Sequence, residues 1–340
     1  MRRSAQLAAA AARRITRRFT KARVLVIGDV MLDQFLWGDV SRISPEAPVP
    51  VVDYRHESFM PGGAGNVARN LAELGARTEL FGVVGKDPAA SRLRSILKEQ
   101  GIDASGLTTD GDRQTSRKIR VVAHQQQVVR VDRETRGDIG SRTEKRLLAK
   151  LDARLGETDA VIIGDYGKGV VTQTLLDGIR ERCHARGVWL SLDPKPVHRL
   201  ALNRLSLITP NRKEFFALAE IADETRHADP LRDPNLMRAA ERLMQTLEPA
   251  LMLVTLSELG MLLCARAGRP FHIPTIAQEV FDVSGAGDTV IASFTLAIAA
   301  GASPVEAALI SNHAAGIVVG KVGTATVTPA ELVASFANGR

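Results

Sequence analysis

Short, continuous apolar runs recur along the chain, separated by segments with helix boundary residues. Such runs predict strands that are buried on both faces of a parallel sheet. They lie at residues 24–27, 80–84, 160–163, 188–192, 205–208 and 251–254. Between them, Asp87-Pro88 begins and Gly101 ends one predicted helix, and Ser303–Glu306 forms a capping box at the start of another. Strand alternating with helix predicts a three-layer, doubly wound α/β domain whose ligands bind at the carboxyl ends of the strands.

Two stretches, residues 36–57 and 113–132, break this alternation. Both are rich in valine and charged residues and have no helical period, so they predict paired strands that project from the main sheet. We interpret them as a small β-lid that covers a cleft and excludes water. The alternatives are an ordinary surface hairpin or a surface for dimerisation. The predicted organisation is one domain over residues 23–335, preceded by a basic helix or tail at residues 1–22.

Charge is concentrated at the N-terminus. The formal net charge is +7, but residues 1–24 contain eight Arg or Lys residues and no acid, which leaves −1 for the rest of the chain. A nearly neutral body argues against a nucleic-acid binder. The basic segment predicts a packed or frayed helix, with a transit-like leader or a weak patch for an acidic surface as alternatives. Its apolar run is too short for insertion into a membrane.

The two cysteines, Cys183 and Cys264, lie 81 residues apart, and neither belongs to a C-x-x-C pattern. This spacing argues against a disulfide framework and against a zinc site. It favours a reducing compartment, and we expect a cytoplasmic protein.

The loop Gly285-Ala286-Gly287-Asp288 opens the apolar segment that ends at Gly301. Glycines allow a tight turn that brings consecutive N–H groups up against an anion, and a helix that begins there adds the positive end of its dipole. In the first turn, the dipole stabilises the ionised form of Asp288, so this carboxylate is available to accept a proton from a substrate hydroxyl. The alternative is a plain tight turn followed by a first-turn acid.

A second glycine-rich stretch, Gly62–Ala68, matches the pattern G-x-G-x-x-A. We reject a dinucleotide site, because the stretch follows a predicted lid strand and not the first strand of the sheet. Glycines beside Asn66 suit close approach of the backbone to sugar hydroxyls. Asp33 is expected near the mouth of the same cleft, either holding a polyol or capping a turn. The chain contains no P-loop motif.

Polar residues follow three further predicted strands. Asn211 and Glu214 have an i, i+3 spacing that predicts one helical face, suited to a hydrated Mg²⁺ ion that bridges phosphates, although the same pattern is common in helix caps. Asp165 and Lys195 each follow another strand. The carboxyl ends of these strands meet at one edge of the sheet, so we expect a binding site there.

Together these residues resemble the ribokinase-type (PfkB-like) carbohydrate kinases over residues 23–335. The two signatures of that family appear as Gly62–Asn66 and as Asp282–Asp288. The second signature usually reads D-T-x-G-A-G-D; Val283 departs from it, which weakens the expectation of a monovalent-cation loop. A finer similarity, to the heptose-7-phosphate kinases of lipopolysaccharide core synthesis, is carried by residues 28–33, 42–52, 165–169 and 193–195.

The resemblance implies a ribokinase-like fold and transfer of the γ-phosphoryl group of ATP, with Mg²⁺, to the C1 hydroxyl of D-glycero-D-manno-heptose 7-phosphate. A homodimer formed through the lid is also expected. Many relatives carry a second, nucleotidyltransferase domain with an H-x-G-H motif; none of the seven histidines here lies in that motif, so we expect the kinase half only. Two alternatives stay open: a kinase for another sugar phosphate, such as a hexose phosphate, and a non-catalytic sugar-phosphate sensor.

The resemblance also implies a role for each matching residue. Asp288 is expected to be the base, and the amides of Gly285, Ala286 and Gly287 to form the anion hole. Sugar contacts are expected from Asp33, Gly62, Gly63, Asn66 and Asp165. Nucleotide contacts are expected from Asn211, Glu214, Thr255, Ser257, Gly260 and Asn312, with Mg²⁺ held by Glu214 through water. The candidates for binding the phosphate of the substrate are Lys118, Arg120 and Lys195, with Arg117 behind them, although each could equally be a solvated charge.

Overall fold

The computed structural model describes residues 7–124, 126–196, 200–266, 268–277 and 279–338. Two predicted segments are therefore incompletely described: residues 1–6 of the basic tail at 1–22, and residue 125 of the lid, lie outside the described residues. The described part contains two sheets and the helices that pack on them. The helices are α1 Ala9–Thr16, α2 Ala64–Glu73, α3 Pro88–Glu99, α4 Ser141–Leu155, α5 Gln173–Arg186, α6 Arg212–Ala219, α7 Pro234–Thr246, α8 Ala286–Ala299, α9 Pro304–Val319 and α10 Pro329–Asn338.

The larger sheet has nine strands in the described ranges, in the order β13-β12-β11-β10-β9-β8-β1-β4-β5. These strands are β1 Arg23–Gly28, β4 Arg77–Val84, β5 Leu107–Thr109, β8 Ala160–Gly164, β9 Trp189–Asp193, β10 Leu207–Ile208, β11 Leu251–Thr255, β12 Met261–Ala265 and β13 Phe271–Ile273. The pairs from β5 to β11 are parallel, whereas β12 and β13 add an antiparallel edge. All six apolar runs are strands of this sheet.

Two separate apolar cores cover the two faces of the sheet. One core contains side chains from α2, α3, α8 and α9, including Leu71 and Phe294. The other contains side chains from α4, α5, α6 and α7, including Leu151 and Phe215. A sheet with helices on both faces is the three-layer, doubly wound architecture that the alternation of strands and helices predicts, so this prediction is confirmed.

The smaller sheet is the lid, and its strand order is β3-β2-β6-β7. Its strands are β2 Val30–Ile43, β3 Pro50–Gly63, β6 Ser116–Ala123 and β7 Gln126–Arg133. The strands extend beyond the predicted lid segment 36–57 at both ends, since β2 begins at Val30 and β3 ends at Gly63. A proline at position 61 is accommodated because β3 is an edge strand.

The N-terminal helix α1 packs on the domain. Ala12 and Ile15 are buried, and Phe19 in the following turn is completely buried. The arginines at positions 13, 14, 17 and 18 are exposed. Among the described helices, we find none with both the length and the apolar character that a membrane crossing requires.

Candidate active site

The two glycine-rich stretches meet at Asp288. Gly285 caps helix α8 with a left-handed backbone (φ 80°) and places Asp288 in the first turn. The Asn66 side chain on α2 donates from Nδ2 to Asp288 Oδ2 at 2.6 Å. The next residue of α8, Thr289, donates its hydroxyl to Oδ1 of Asn70, which lies one turn beyond Asn66 on α2, at 2.8 Å. These two contacts fix α2 and α8 relative to each other, so the carboxylate is held by rigid elements.

Asp288 is only 9% exposed, and burial raises the pKa of its carboxyl group to about 6. Hydrogen bonds from Tyr166 and Asn66 lower this pKa, and the charge of Asp33 raises it. The sequence suggested that the helix dipole favours the ionised form; in the structure, loss of hydration is the larger effect. A pKa near 6 leaves the group mostly ionised at neutral pH, yet close enough to take up a proton during a reaction.

The loop before α8 leaves space for a ligand at one of its glycines. A Cβ built on Gly287 would have no neighbour within 4 Å, whereas a Cβ on Gly285 would lie 2.8 Å from Asn66 Nδ2. The N–H of Ala286 already donates to the Val283 carbonyl at 3.2 Å. Of the three amides predicted to form the anion hole, that of Ala286 is therefore partly engaged within the loop.

Asp33, Gly62 and Asn66 come together on the sugar side that the sequence predicts. Asp33 lies on β2, is 7% exposed, and accepts a hydrogen bond from Arg120 Nη1 at 2.6 Å. A Cβ on Gly62 would lie 2.4 Å from Asp33 Oδ2, so only glycine lets this carboxylate pack against β3. Asn66 Oδ1 is buried and has no hydrogen-bond partner among the described residues. It is an open acceptor beside the carboxylate of Asp288.

The predicted phosphate-binding cations are divided between two places. Lys118 lies directly opposite Asp33 in the parallel pairing of β2 and β6, and Arg120 is on the same face because side chains alternate along a strand. Arg117 therefore points to the opposite face of the lid. Lys195 does not join this group: its Nζ donates to Glu214 Oε1 at 3.0 Å, since it follows β9 and lies beside α6.

Asn211 and Glu214 form a capping box at the start of α6. Asn211 is the cap residue and accepts from the Glu214 N–H, while Glu214 Oε2 accepts from the Asn211 N–H at 3.1 Å. The prediction of one helical face was wrong, because Asn211 lies just before the helix; capping was the alternative interpretation. In the described ranges, no group of three or more His, Cys, Asp or Glu side chains could by itself hold a metal ion.

The remaining residues of the predicted nucleotide pocket lie in one neighbourhood. Thr255, at the end of β11, forms a parallel bridge with Asn211. A Cβ on Gly260, in the turn after β11, would lie 2.1 Å from the Ile273 carbonyl oxygen. Asn312 on α9 is 4% exposed and donates to the Pro274 carbonyl at 2.9 Å. Ser257 lies in the same turn as Gly260, with a left-handed backbone (φ 54°).

No individual role was predicted for three residues of the stretches that carry the resemblance: Asp29, Tyr166 and Asp193. The Asp29 carboxylate is 1% exposed and accepts three N–H bonds, from residues 166, 168 and 170, at 2.8, 3.0 and 3.0 Å. It thereby shapes the loop after β8, in which Asp165 Oδ1 accepts the Gly167 N–H at 2.9 Å. Both Asp29 and Asp193 directly follow or end a strand, which is the one sequence signal that they share with the predicted residues.

Asp193 is the last residue of β9. Burial raises the pKa of its carboxyl group well above the usual range, and the charges of Glu214 and Asp288 raise it further. The Thr209 hydroxyl donates to Asp193 Oδ1 at 2.9 Å. Asp193 is therefore close enough to both Glu214 and Asp288 to interact electrostatically with each of them.

The model of the pfkB family carbohydrate kinases matches residues 21–331 of this chain. The chain belongs to the pfkB family of carbohydrate kinases. Among curated relatives, it is 45% identical over 322 residues to the bifunctional protein HldE of Citrifermentans bemidjiense, and 46% identical over 312 residues to that of Geobacter sulfurreducens. These alignments cover 95% and 92% of this chain, but the chain spans only 65% and 62% of the length of those relatives.

Solved structures of a ribokinase and a phosphofructokinase have the same fold. The ribokinase of Arabidopsis thaliana, complexed with ribose and ATP, superposes with a TM-score of 0.71 at 17% identity. Phosphofructokinase-2 of Escherichia coli, in complex with potassium, superposes with a TM-score of 0.74 at 20% identity. Each alignment covers 93% of this chain and 98% of the other chain. At these identities the similarity establishes the ribokinase-like fold of the family member described here.

Proposed function

We propose that the chain transfers the γ-phosphoryl group of ATP to the C1 hydroxyl of D-glycero-D-manno-heptose 7-phosphate, giving the 1,7-bisphosphate for ADP-heptose and lipopolysaccharide core synthesis. One observation supports the kinase proposal above all: Asn66, which is expected to hold the sugar, donates at 2.6 Å to the buried carboxylate of Asp288, which is expected to be the base, at a glycine-rich helix start. The choice of a heptose 7-phosphate rests on the resemblance at residues 28–33, 42–52, 165–169 and 193–195.

The proposed reaction uses few chemical groups, since phosphoryl transfer depends mainly on positioning and on neutralising charge. Asp288 accepts the proton of the incoming hydroxyl. The open acceptor Asn66 Oδ1 receives a hydrogen bond from a neighbouring sugar hydroxyl, and Asp33 binds a further hydroxyl. The amides at Gly285 and Gly287, with the positive end of the α8 dipole, stabilise the charge on the transferring group.

Mg²⁺ fits the nucleotide side as a hydrated ion. Glu214 Oε1 accepts from Lys195 and Oε2 from the Asn211 N–H, so a water molecule bound to the ion is better placed than the ion itself to contact this carboxylate. Mg²⁺ commonly keeps several waters and binds substrate phosphates through its remaining positions. Glu214 would hold the ion through water, and the ion would neutralise charge on the phosphates of ATP. Dependence on a monovalent cation stays a prediction of the resemblance.

The phosphate of the substrate is proposed to bind on the inner lid face, defined by Asp33, Lys118, Arg120, Arg130 and Asp132. Lys118 donates to Asp132 at 3.1 Å, and Arg130, opposite Arg120 in the register of β6 and β7, contacts Asp132 at 2.9 Å. These cations are already ordered by carboxylates, so a phosphate group can compete for them in place. We therefore add Arg130 to the cations proposed to bind the phosphate of the substrate. Lys195 is proposed to lie on the side of the nucleotide, where it contacts Glu214.

Lys118→Ala is expected to raise the KM for the sugar phosphate by about 10- to 100-fold, the effect of losing one charge-assisted hydrogen bond. The KM for ATP should change by less than about twofold. Arg117→Ala is the matched control, because Arg117 is the neighbouring cation on the other lid face, and both KM values should stay near wild type. Steady-state kinetics with both substrates varied will measure these effects; equal effects of the two variants would remove the inner lid face from phosphate binding.

A panel of sugar-phosphate acceptors, all at the same concentration, tests the identity of the substrate through coupled detection of ADP. We expect heptose 7-phosphate to be turned over at least about 100-fold more efficiently than hexose phosphates, because a matched site discriminates through several hydrogen bonds. Preferred turnover of a hexose phosphate would favour the first alternative. Absence of ADP with every acceptor, in protein that binds sugar phosphate, would favour a non-catalytic sensor.

A homodimer through the lid is proposed from the outer lid face, defined by Ile119, Val121, Val129 and Val131. The two pairs lie opposite each other in the register of β6 and β7, and Val129 and Val131 are 48% and 51% exposed. Exposed β-branched residues in adjacent strands form a contiguous apolar patch of the kind that marks an interface.

Buried free cysteines, Cys183 and Cys264, fit the expected cytoplasmic compartment.

The double variant Val129→Glu/Val131→Glu is expected to be a monomer, because it places two like charges from each protomer in an apolar interface. The wild-type chain should have the mass of a dimer in sedimentation equilibrium. Val322→Glu, at an 85% exposed valine outside the lid, should remain dimeric. A monomeric wild type, or a dimeric double variant, would contradict this proposal.

A further inference from the structure

Tyr166 lies next to the proposed base, Asp288, and both its backbone and its ring are fixed by neighbouring residues. Its N–H donates to the buried carboxylate of Asp29 at 2.8 Å. A Cβ built on Gly164 would lie 3.1 Å from the Tyr166 ring, and one built on Gly63 would lie 3.4 Å from it. Gly164 therefore lets the ring pack closely against β8, and Gly63 on β3 lies on another side of the ring at contact distance.

The hydroxyl of Tyr166 is a hydrogen-bond donor at this site. It contacts Asp288 Oδ1, and a carboxylate can only accept. Burial and the neighbouring charge of Asp288 raise the pKa of the phenol well above 10, so the phenol keeps its proton at any pH at which the protein would work. Tyr166 therefore cannot act as a base itself.

Both oxygens of Asp288 thus have a protein donor, but the two donors differ. Oδ1 is bound by Tyr166, which is part-buried and fixed by Asp29. Oδ2 is bound by Asn66, whose own Oδ1 is left without a partner and is available to a sugar hydroxyl. The asymmetry indicates that Oδ2 is the oxygen that faces the sugar and that Oδ1 is the oxygen that anchors the carboxylate.

We propose that Tyr166 is a positioning residue for the reaction: its hydroxyl fixes the plane of the Asp288 carboxylate and favours the ionised form, so that Oδ2 is presented to the incoming sugar hydroxyl. This inference rests on the proposed kinase function. A hydrogen bond to the charged form of an acid stabilises that form. Without it, the carboxylate would take up a proton at a higher pH and would be free to rotate.

The other charged groups around Asp288 make this role necessary. Asp33 from the lid raises the pKa of Asp288, and Asp193 at the end of β9 interacts with both Asp288 and Tyr166. Asp29, after β1, interacts with Tyr166. The nearby cations are occupied by other acids, Arg120 by Asp33 and Lys195 by Glu214. Tyr166 and Asn66 are accordingly the groups that counteract burial and like charge.

Tyr166→Phe tests the proposal through the pH dependence of kcat/KM, which reports ionisations of the free enzyme and free substrates. Loss of one buried, charge-assisted hydrogen bond should move the acid limb upward by about one to two pH units. At pH 7 the variant should lose about 2- to 10-fold in rate, and the loss should largely disappear at pH 9. Substrate phosphates titrate identically with both enzymes, so the difference belongs to the protein.

Tyr54→Phe is the matched control, because the chain has only two tyrosines and Tyr54 is 62% exposed. Its pH profile should coincide with that of the wild type. A Tyr166→Phe profile with an unmoved acid limb, whether activity is unchanged or reduced equally at every pH, would overturn the proposal.

A second measurement needs neither activity nor Tyr166→Phe. In Tyr54→Phe protein, Tyr166 is the single tyrosine, so the NMR signal of tyrosine labelled at its Cζ carbon reports the Tyr166 hydroxyl alone at neutral pH. Introducing Asp288→Asn should shift this signal, because the charged acceptor of the hydroxyl is replaced by a neutral amide. An unmoved signal would overturn the contact between the two residues. If the contact is present but wild-type protein releases no ADP with any acceptor, the proposed function fails and the geometric part of the inference stands.

Discussion

Asp288→Asn is expected to lower turnover by about two to four orders of magnitude, the usual contribution of a general base, while making the protein more stable at pH 8. The loss arises because asparagine cannot accept the proton of the sugar hydroxyl. The gain arises because a buried charge is removed. Asn66, with its free Oδ1, can turn its amide and accept from the new side chain.

The sign of the stability change follows from the pKa. Folding raises the pKa of Asp288 from about 3.8 to about 6, so between these values the native state binds more protons than the unfolded chain. Stability from this group is therefore fully present below about pH 4 and is lost as pH rises through 6. A shift of this size corresponds to about 3 kcal/mol. Because some hydrogen bonding is also lost, we expect the free energy of unfolding of Asp288→Asn to exceed that of the wild type by about 1–3 kcal/mol at pH 8. At pH 4 we expect the two free energies to be equal.

Urea unfolding at several pH values, together with single-turnover kinetics, will measure both effects. Asp112→Asn, at an exposed aspartate, is the matched control and should change neither quantity. Near-normal turnover in a preparation free of wild-type enzyme would remove Asp288 from the role of base. A stability gain that is the same at pH 4 and pH 8 would show that burial of charge is not its cause.

Gly285→Ala is expected to damage both turnover and stability. Its left-handed backbone (φ 80°) is unfavourable for alanine by about 1–2 kcal/mol, and the new methyl group would lie 2.8 Å from Asn66 Nδ2. Displacing Asn66 removes its bond to Asp288 and shifts the amides that stabilise the transferring group. We expect turnover to fall by about 100-fold or more, with a lower urea midpoint.

Gly287→Ala is the informative partner for that experiment. Gly287 has no positive φ, and an added Cβ would meet nothing within 4 Å, so the free energy of unfolding should stay the same or rise by up to about 1 kcal/mol. If the open space beside Gly287 receives the phosphoryl group, turnover should nevertheless fall by about 10-fold or more through steric conflict. Full activity of Gly287→Ala would place the transferring group elsewhere.

Local signals predicted the elements that build the site. Gly285 before an apolar run predicted the start of α8, and the helix begins at Ala286. The Ser303 and Glu306 capping box predicted the start of α9, which begins at Pro304 with both capping bonds present. Glycine conformations and caps depend on a few neighbouring residues, so they can be recognised without knowledge of the fold.

Predictions that depended on neighbours distant in sequence were less accurate. The predicted lid segment 36–57 stops short of the ends of β2 and β3, because the pairing that extends these strands to Val30 and Gly63 joins residues far apart in sequence. Lys195 was a candidate for binding the phosphate of the substrate, and nothing in the sequence indicated its contact with Glu214. The ionisation of Asp288 was judged from the helix dipole alone, whereas the burial that raises its pKa comes from α2, the lid and the loop after β8.

The amino-acid sequence was sufficient to specify the α/β class, six strands of the larger sheet, the starts of helices α8 and α9, and the glycine, aspartate and asparagine residues on which the chemistry is proposed to depend. Hydrophobic period, caps and glycine turns are short-range properties, and a single chain records them directly. Which residues meet was decided by the tertiary structure. Tyr166 and Asp288 are 122 residues apart, and only the packing of α8 and α2 against the loop after β8 brings the phenol, the amide and the carboxylate together.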